Sequence, residues 1–469
     1  MRYKSTRGDA TGKQFTAILL EGLARDGGLY VPERYPSLDL CMLRSWHASG
    51  KRGYVDVAFH VLSHFIGDMK PSDLRSIVSA TYSEANFGSR HVAPVELLED
   101  GIYRMKLSEG PTLAFKDIAL QLLGNLMQAV LERRDMRLNV LGATSGDTGS
   151  AAAYALRGKP RMNLFMLSPR GRMSPFQERQ MYTLQDANIH NIAVKGTFDD
   201  CQAVVKAVNA DAVFKAEYRI GAINSINWAR IAAQTVYYVY AWMQVAASDT
   251  QEVTFAVPSG NFGNALSAHV ARQMGLPIRD IIVATNENDV LHELFSTGRY
   301  LVRAGDQVKS THSPSMDIAA ASNIERYVFD VFGQNPARVK SLWSELATTG
   351  SFQLNASDRR VLSRGVRSVA VSDHETIDTM RTLFTTRRVI IDPHTAVGLA
   401  AARAHCEQGV PCIVAETALP AKFEGAVRQA TGRAPDIPDA YRKLIELPYR
   451  VTVMDPDPEK VKAYIRAHA

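Results

Sequence analysis

The sequence predicts an α/β protein with two parallel-type sheet units flanked by helices, preceded by a mostly helical N-terminal unit. Three observations carry this. From about residue 95, short apolar runs alternate with amphipathic stretches, the pattern of βα units in a parallel sheet. Two of those runs end in loops of small polar residues that open helices, at 142–149 and 259–264. The first 98 residues have helical spacing without that alternation.

In chain order, 13–23 has helical spacing and stops at Arg25-Asp26-Gly27-Gly28. Residues 29–32 are a short extended piece, and 54–65 and 71–82 are further helices. This unit holds no cluster of catalytic residue types and reads as a cover for the α/β units. The runs 138–141, 163–167, 191–194, 219–223, 253–257 and 281–284 read as strands, with helices at 199–208 and 264–274. Residues 326–362 and 373–384 read as helical, 389–391 and 412–414 as short buried strands, and 395–408 as the helix between them. Pro-Asp-Pro-Asp-Pro breaks the charged C-terminal segment of 440–469. The expected division is an N-terminal domain over 1–98, a large domain over 99–114 and 224–469, and a small closing domain over 115–223.

Composition excludes several classes. The 469 residues are 46% hydrophobic and 22% charged, with a net charge of +6, as in an ordinary soluble globular protein. Lys and Arg are scattered among Asp and Glu, without the basic block and interleaved aromatics of a nucleic-acid binder. No apolar run reaches membrane-span length; the longest, around 236–247, reads as a core helix. The N-terminus lacks the apolar core of a signal sequence. Cys41, Cys201, Cys406 and Cys412 show no metal-ligand spacing. Cys406 and Cys412 flank an apolar strand in structural positions, and so few unpatterned cysteines suit a reducing, cytoplasmic setting.

Three stretches carry chemistry. In Pro111–Asp117, Lys116 ends a nearly uncharged run beside Phe115, and an amphipathic stretch over 118–132 comes next. An amine near apolar surface loses solvation that favours its charged form, which suits a Schiff-base lysine. The alternative is a lysine with its stem on the core and its amine in water. Ser259-Gly260-Asn261-Phe262-Gly263-Asn264 lies between strand and helix, where glycines and unpaired N–H groups favour a phosphate. It matches neither the Walker A loop nor the dinucleotide fingerprint, and a tight βα turn is the plainer reading. Ala143–Gly149 has the same placement; its hydroxyls and amides suit a carboxylate, or cap the helix.

A lysine and two anion cradles are what a pyridoxal 5′-phosphate enzyme acting on an amino acid needs. The combination resembles the fold type II enzymes of that class, with the tryptophan synthase β-like fold. Asp26–Pro32, Gly110–Asp117, Asn224–Arg230, Ser315–Ile318, Asp392–Gly398 and Thr417–Phe423 narrow it. Together they resemble the threonine synthase family in its long bacterial and fungal form, over about residues 1–430.

The resemblance implies roles. Lys116 would bind the cofactor covalently, Gly260, Asn261, Phe262, Gly263 and Asn264 would hold its phosphate, and Thr417 would face its pyridine nitrogen. Asp147 stands where many relatives carry Asn near the cofactor's 3′-oxygen. Thr144, Ser145 and Thr148 would bind the substrate carboxylate or its phosphate. Asn224, Ser225 and Arg230 would bind the substrate phosphate. Lys422 is either added charge near that phosphate or a surface lysine. Asp392-Pro393-His394-Thr395 reads as a helix start rather than a catalytic base. Ser315 and Leu419 depart from an expected Ala and His.

The implied activity converts O-phospho-L-homoserine and water into L-threonine and phosphate, in a monomer without metal, nucleic acid or membrane. The nearest rival is a threonine or serine dehydratase, or a phospho-amino-acid lyase releasing a keto acid. Asn224–Arg230 and the N-terminal unit argue against these. A non-catalytic binder of pyridoxal phosphate or small anions is disfavoured by the intact Lys116. A nucleic-acid binder has no motif here.

Overall fold

The computed structural model of the protein describes residues 1–9, 11–223 and 225–469. Two sheets organise it. The larger has six strands in the order Val366–Ala370, Ile278–Thr285, Val253–Pro258, Cys412–Glu416, Ile102–Lys106 and Val95–Glu99. All neighbours are parallel except the last pair, an antiparallel hairpin. The smaller has five parallel strands in the order Thr452–Met454, Ile189–Val194, Met162–Pro169, Leu138–Ala143 and Ile220–Gly221. Val253–Pro258 and Ile189–Val194 are buried at every position, as parallel strands covered on both faces must be.

Helix Trp228–Val245 runs through the centre and packs against Tyr54–Phe65, Lys116–Arg133 and Gly263–Gln273. Its first sixteen residues are all buried. A helix apolar on every side belongs in a core, and the expected core helix lies here. Among the described residues no helix is long and apolar enough to cross a membrane.

The N-terminal unit is helical, with one two-stranded ribbon of Tyr3–Ser5 against Tyr30–Pro32. Sequence reasoning missed helix Leu40–Ser49, although Asp39 caps its start by accepting from the Met42 N–H and Gly50 ends it in a left-handed turn.

Other expectations differ from the structure. The expected helix over 326–362 is three helices, Ile324–Val331, Pro336–Thr349 and Ala356–Leu362. Gly333 and Gln334 take positive φ, Asn335 caps the second helix, and Gly350 ends it before the short strand Ser351–Gln353. Residues 389–391 form no strand. Arg388 is left-handed and Asp392 already caps the next helix, so these residues only connect. Strand Val95–Glu99 crosses the boundary expected at residue 98. Thr452–Met454 adds to the edge of the smaller sheet, so 224–469 does not stay with one sheet. Cys406 and Cys412 are joined by a disulfide, Cα–Cα 6.0 Å, between the end of one helix and the start of a strand.

The C-terminal helix Pro458–His468 seals the smaller sheet by burying Val461 and Ile465 in one cluster with Phe165, Ile192 and Val194. Ile465→Ala is expected to cost about 2–5 kcal/mol. Urea unfolding followed by circular dichroism would read this, and an unchanged midpoint would show that the helix does not close the core.

Candidate active site

Lys116 opens helix Lys116–Arg133, and the loop before it is tied across the molecule. The Phe115 N–H donates to the Thr417 carbonyl at 2.9 Å, and the Leu419 N–H donates to the Leu113 carbonyl at 3.1 Å. This short antiparallel bridge brings the expected covalent lysine and pyridine partner together from 300 residues apart in sequence. Asp117 is buried and accepts from the Thr112 N–H and hydroxyl, both at 2.7 Å. It therefore shapes the loop.

Lys116, Thr417 and the 259–264 loop line one cleft of about 650 Å³, with Thr148, Ser225, Arg230, Ser315 and His394. Among the described residues, none that lines the cleft is acidic. Phe262 takes φ 63° at the start of helix Gly263–Gln273, a costly conformation for a large residue. Its ring is held by Tyr327 and Phe295, centroids 5.4 and 6.1 Å away. Gly260 lies against the turn Pro314–Met316; a Cβ there would sit 3.1 Å from the Met316 Cα.

Asp147 gathers the charge. Its Oδ1 meets the Lys422 Nζ at 2.6 Å and accepts from the Gln177 side chain at 3.0 Å. Its Oδ2 accepts from the Ser315 hydroxyl at 2.9 Å and lies 3.3 Å from the Lys116 Nζ. Burial alone would raise the Asp147 pKa, but Lys422 and Lys116 hold it well below the carboxylate range. Burial lowers the Lys116 amine from its ordinary value, against the pull of Asp147 and helped by Lys422 and Arg230. This is the direction expected of the apolar setting.

Several predicted residues sit differently from expectation. The Thr144 hydroxyl accepts from the N–H groups of Gly146 and Gly149, at 3.0 and 2.9 Å, and so braces the loop from inside. Ser145 is exposed, whereas Thr148 faces the cleft. Lys422 is no surface lysine: its side chain is 0% exposed, and its amine also donates to the Thr112 carbonyl at 2.9 Å. Ser225 lines the cleft and shares a 2.9 Å hydrogen bond with Ser322. Asn224 lies outside the described residues. His394 is the helix-start residue expected. Its Nδ1 is 2.8 Å from Asp392, and its Nε2 accepts from the Ser315 N–H at 3.1 Å.

Sequence reasoning missed Gln177 and the part played by the Ser315 hydroxyl. Ser174–Gln177 is a legible capping box, but nothing in it says that Gln177 reaches Asp147.

The donors fit a phosphate-bearing cofactor and substrate. Arg230 is 5% exposed, and its Nε and Nη1 are buried without a partner. Burial pushes its pKa down to about 10. The Ser259 hydroxyl and the Asn264 side-chain N–H₂ are also buried and unpartnered. Helix Gly263–Gln273 has neither a side-chain cap nor an acidic residue in its first turn. A buried unpartnered donor is costly, and anions bound in the cleft would satisfy these donors.

Fold and cleft together define the class, a pyridoxal-phosphate-dependent enzyme of fold type II. Comparison with known proteins gives the same class: the family described as "Pyridoxal-phosphate dependent enzyme" matches residues 95–415. "Threonine synthase N terminus" matches residues 2–82, and "Threonine synthase, C-terminal" matches 395–465. The chain is 50% identical to a threonine synthase of Methylobacillus glycogenes over the whole of both chains. It is 48% identical to one of Corynebacterium glutamicum, over 99% of this chain and 98% of the relative. The crystal structure of a PLP-bound threonine synthase from Brucella melitensis superposes with a TM-score of 0.96 at 38% identity, covering 100% of this chain and 99% of that one. The chain belongs to the threonine synthase family.

Glu416, next to Thr417, is 2% exposed. Burial raises its pKa to about 7, although Arg104 3.2 Å away and the Ser108 hydroxyl favour the charged form. An unfolded Glu titrates near 4.5. Between those values the folded state holds the proton more tightly, so this group makes stability fall as pH rises. Glu416→Gln is expected to remove a decline of about 3 kcal/mol across that window. Urea midpoints at pH 5 and 7.5 that change in parallel in both proteins would refute this.

Proposed function

We propose that the chain converts O-phospho-L-homoserine and water into L-threonine and phosphate. The reaction eliminates phosphate from the γ-carbon and adds water at the β-carbon, the last step of threonine biosynthesis. The observation that carries this is Arg230, a buried guanidinium with unpartnered N–H groups, in the same cleft as Lys116 and the 259–264 loop. One phosphate site would serve the cofactor. Arg230 and Ser225, outside that loop in sequence but lining the same cleft, add donors that suit a substrate carrying its own phosphate.

Pyridoxal phosphate, when bound, supplies an electron sink for the pair left at the substrate's α-carbon. Gly260, Asn261, Phe262, Gly263 and Asn264 would hold its phosphate, and the Thr417 hydroxyl would be the partner of its pyridine nitrogen. A hydroxyl partner, unlike a carboxylate, would leave that nitrogen largely unprotonated and so moderate the sink. The Lys116 amine, whose charged form burial disfavours, takes the α-proton and then the β-proton. Arg230 and Ser225 hold the γ-phosphate and stabilise its charge as it leaves. Thr148 and Ser145, at the head of helix Asp147–Leu156, take the substrate carboxylate on the helix's positive end. Asp147 pairs with both Lys422 and Lys116 beside that site, leaving a net single positive charge. The enzyme acts in the cytoplasm, as a monomer, on this small molecule.

The purified protein loaded with cofactor is expected to release phosphate and threonine in equal amounts from O-phosphohomoserine; release of a keto acid instead would overturn the reading. Lys116→Ala is expected to abolish both turnover and the borohydride-trapped cofactor adduct. Arg230→Met is expected to keep that adduct while kcat/KM falls about 100–1,000-fold. Loss of the adduct in Arg230→Met would move Arg230 to the cofactor's side of the site.

A further inference from the structure

Ser315 sits in the turn Pro314–Met316, against Gly260 and at the wall of the cleft. Its backbone N–H donates to His394 Nε2, and His394 is held in turn by Asp392. Asp392 also accepts from the His394 and Thr395 N–H groups as the cap of its helix. The turn is therefore clamped from a buried helix start, and the Ser315 side chain has a determined place. Its hydroxyl donates to Asp147 Oδ2 at 2.9 Å and accepts a long hydrogen bond from the Lys116 Nζ at 3.4 Å.

The contacts of Asp147 explain what that hydroxyl does. Lys422 and Gln177 occupy Oδ1. Only Oδ2 remains for Lys116, and Ser315 has the shorter hold on it, 2.9 against 3.3 Å. A carboxylate oxygen already engaged by a hydroxyl attracts an ammonium less strongly and leaves it less room.

We infer that Ser315 is a positioning residue for Lys116: by sharing Asp147 Oδ2, it keeps the amine from closing into a tight ion pair and leaves it free to move protons. The inference rests on the function proposed above for Lys116 as proton carrier. Among the described residues Asp147, on its own helix, is the one carboxylate facing that amine. Lys422 beyond Asp147 and Arg230 across the cleft are the other charged groups. His394 faces it only through the Ser315 backbone, with Nε2 as acceptor.

With the hydroxyl removed, Oδ2 has no other donor than Lys116 among the described residues. The amine gives up its long contact to a neutral hydroxyl but draws closer to a full carboxylate charge, the stronger partner, so it keeps its proton to higher pH and is less often the base. Two readouts test this on the full-length chain. In protein stripped of cofactor, trace acetylation of Lys116 followed by mass spectrometry gives the pH of half-reactivity. Ser315→Ala is expected to raise it by about half a unit or more, and Ser315→Thr, which keeps the hydroxyl, to restore it. In the cofactor-loaded enzyme, kcat near neutral pH is expected to fall about three- to tenfold in Ser315→Ala, recovering as pH rises, with KM nearly unchanged. A half-reactivity point equal to wild type in Ser315→Ala would overturn the inference, as would a kcat loss that neither recovers with pH nor is rescued by Thr. The labelling comparison needs no substrate, so it decides even if wild-type protein fails to make threonine, which would sink the proposed function alone.

Discussion

One buried carboxylate holds this site together. Lys116, Lys422 and Arg230 are cations withdrawn from water around a cleft with no acidic lining among the described residues. Burying unpaired charge is expensive, and Asp147 is shared by the two lysines, neutralising one charge of the two. Arg230 is left for a ligand. The same carboxylate is a joint. Asp147 heads the helix that comes after a strand of the smaller sheet, whereas Lys422 comes after the last parallel strand of the larger. The two sheets therefore meet across an ion pair, and the residual positive charge faces the open space between them.

The N-terminal unit braces this arrangement as well as covering it. Arg326 is fully buried and donates to the carbonyls of Tyr30 and Ile226 and to the Asn323 side chain. Asn323 donates in turn to the carbonyls of Ser225 and Asn261. Glu325 beside it pairs with Arg7 at 2.9 Å and accepts from Thr6. Three motifs far apart in sequence, at 26–32, 224–230 and 259–264, thus converge on one turn of helix. The N-terminal glycine-rich stretch is tied to the cleft by hydrogen bonds without lining it.

Much of this is legible in the sequence because it is local. Strand–loop–helix alternation depends on side-chain periodicity, and Val253–Pro258 and Cys412–Glu416 are legible as buried strands from the runs 253–257 and 412–414. Asp392 as a cap needs only its neighbours. The breaks at Gly333-Gln334-Asn335-Pro336 and at Gly350 are equally local, but a long helical period masks them. Residues 389–391 mislead for another reason. Their apolar character comes from burial in a connection, as with Ile391, and burial alone does not distinguish a connector from a strand. Strand Thr452–Met454, in a segment read only as charged and broken by Pro, is set by its partner, Ile189–Val194, some 260 residues back.

By itself the sequence determined which residue types would meet an anion and an amino acid: a lysine in apolar company and two small-residue loops before helices, with the arginine at 230 added only through the family resemblance. These come from short-range chemistry and chain order. Only the tertiary structure decided how they divide the work. It turned Thr144 inward as a strut, buried Lys422 against Asp147 rather than leaving it at the surface, and brought Gln177 and Ser315 to the same carboxylate. The physical reason is that a buried charge must find its partners through space. Each oxygen of Asp147 is shared among donors from separate elements, a condition no spacing along the chain can express.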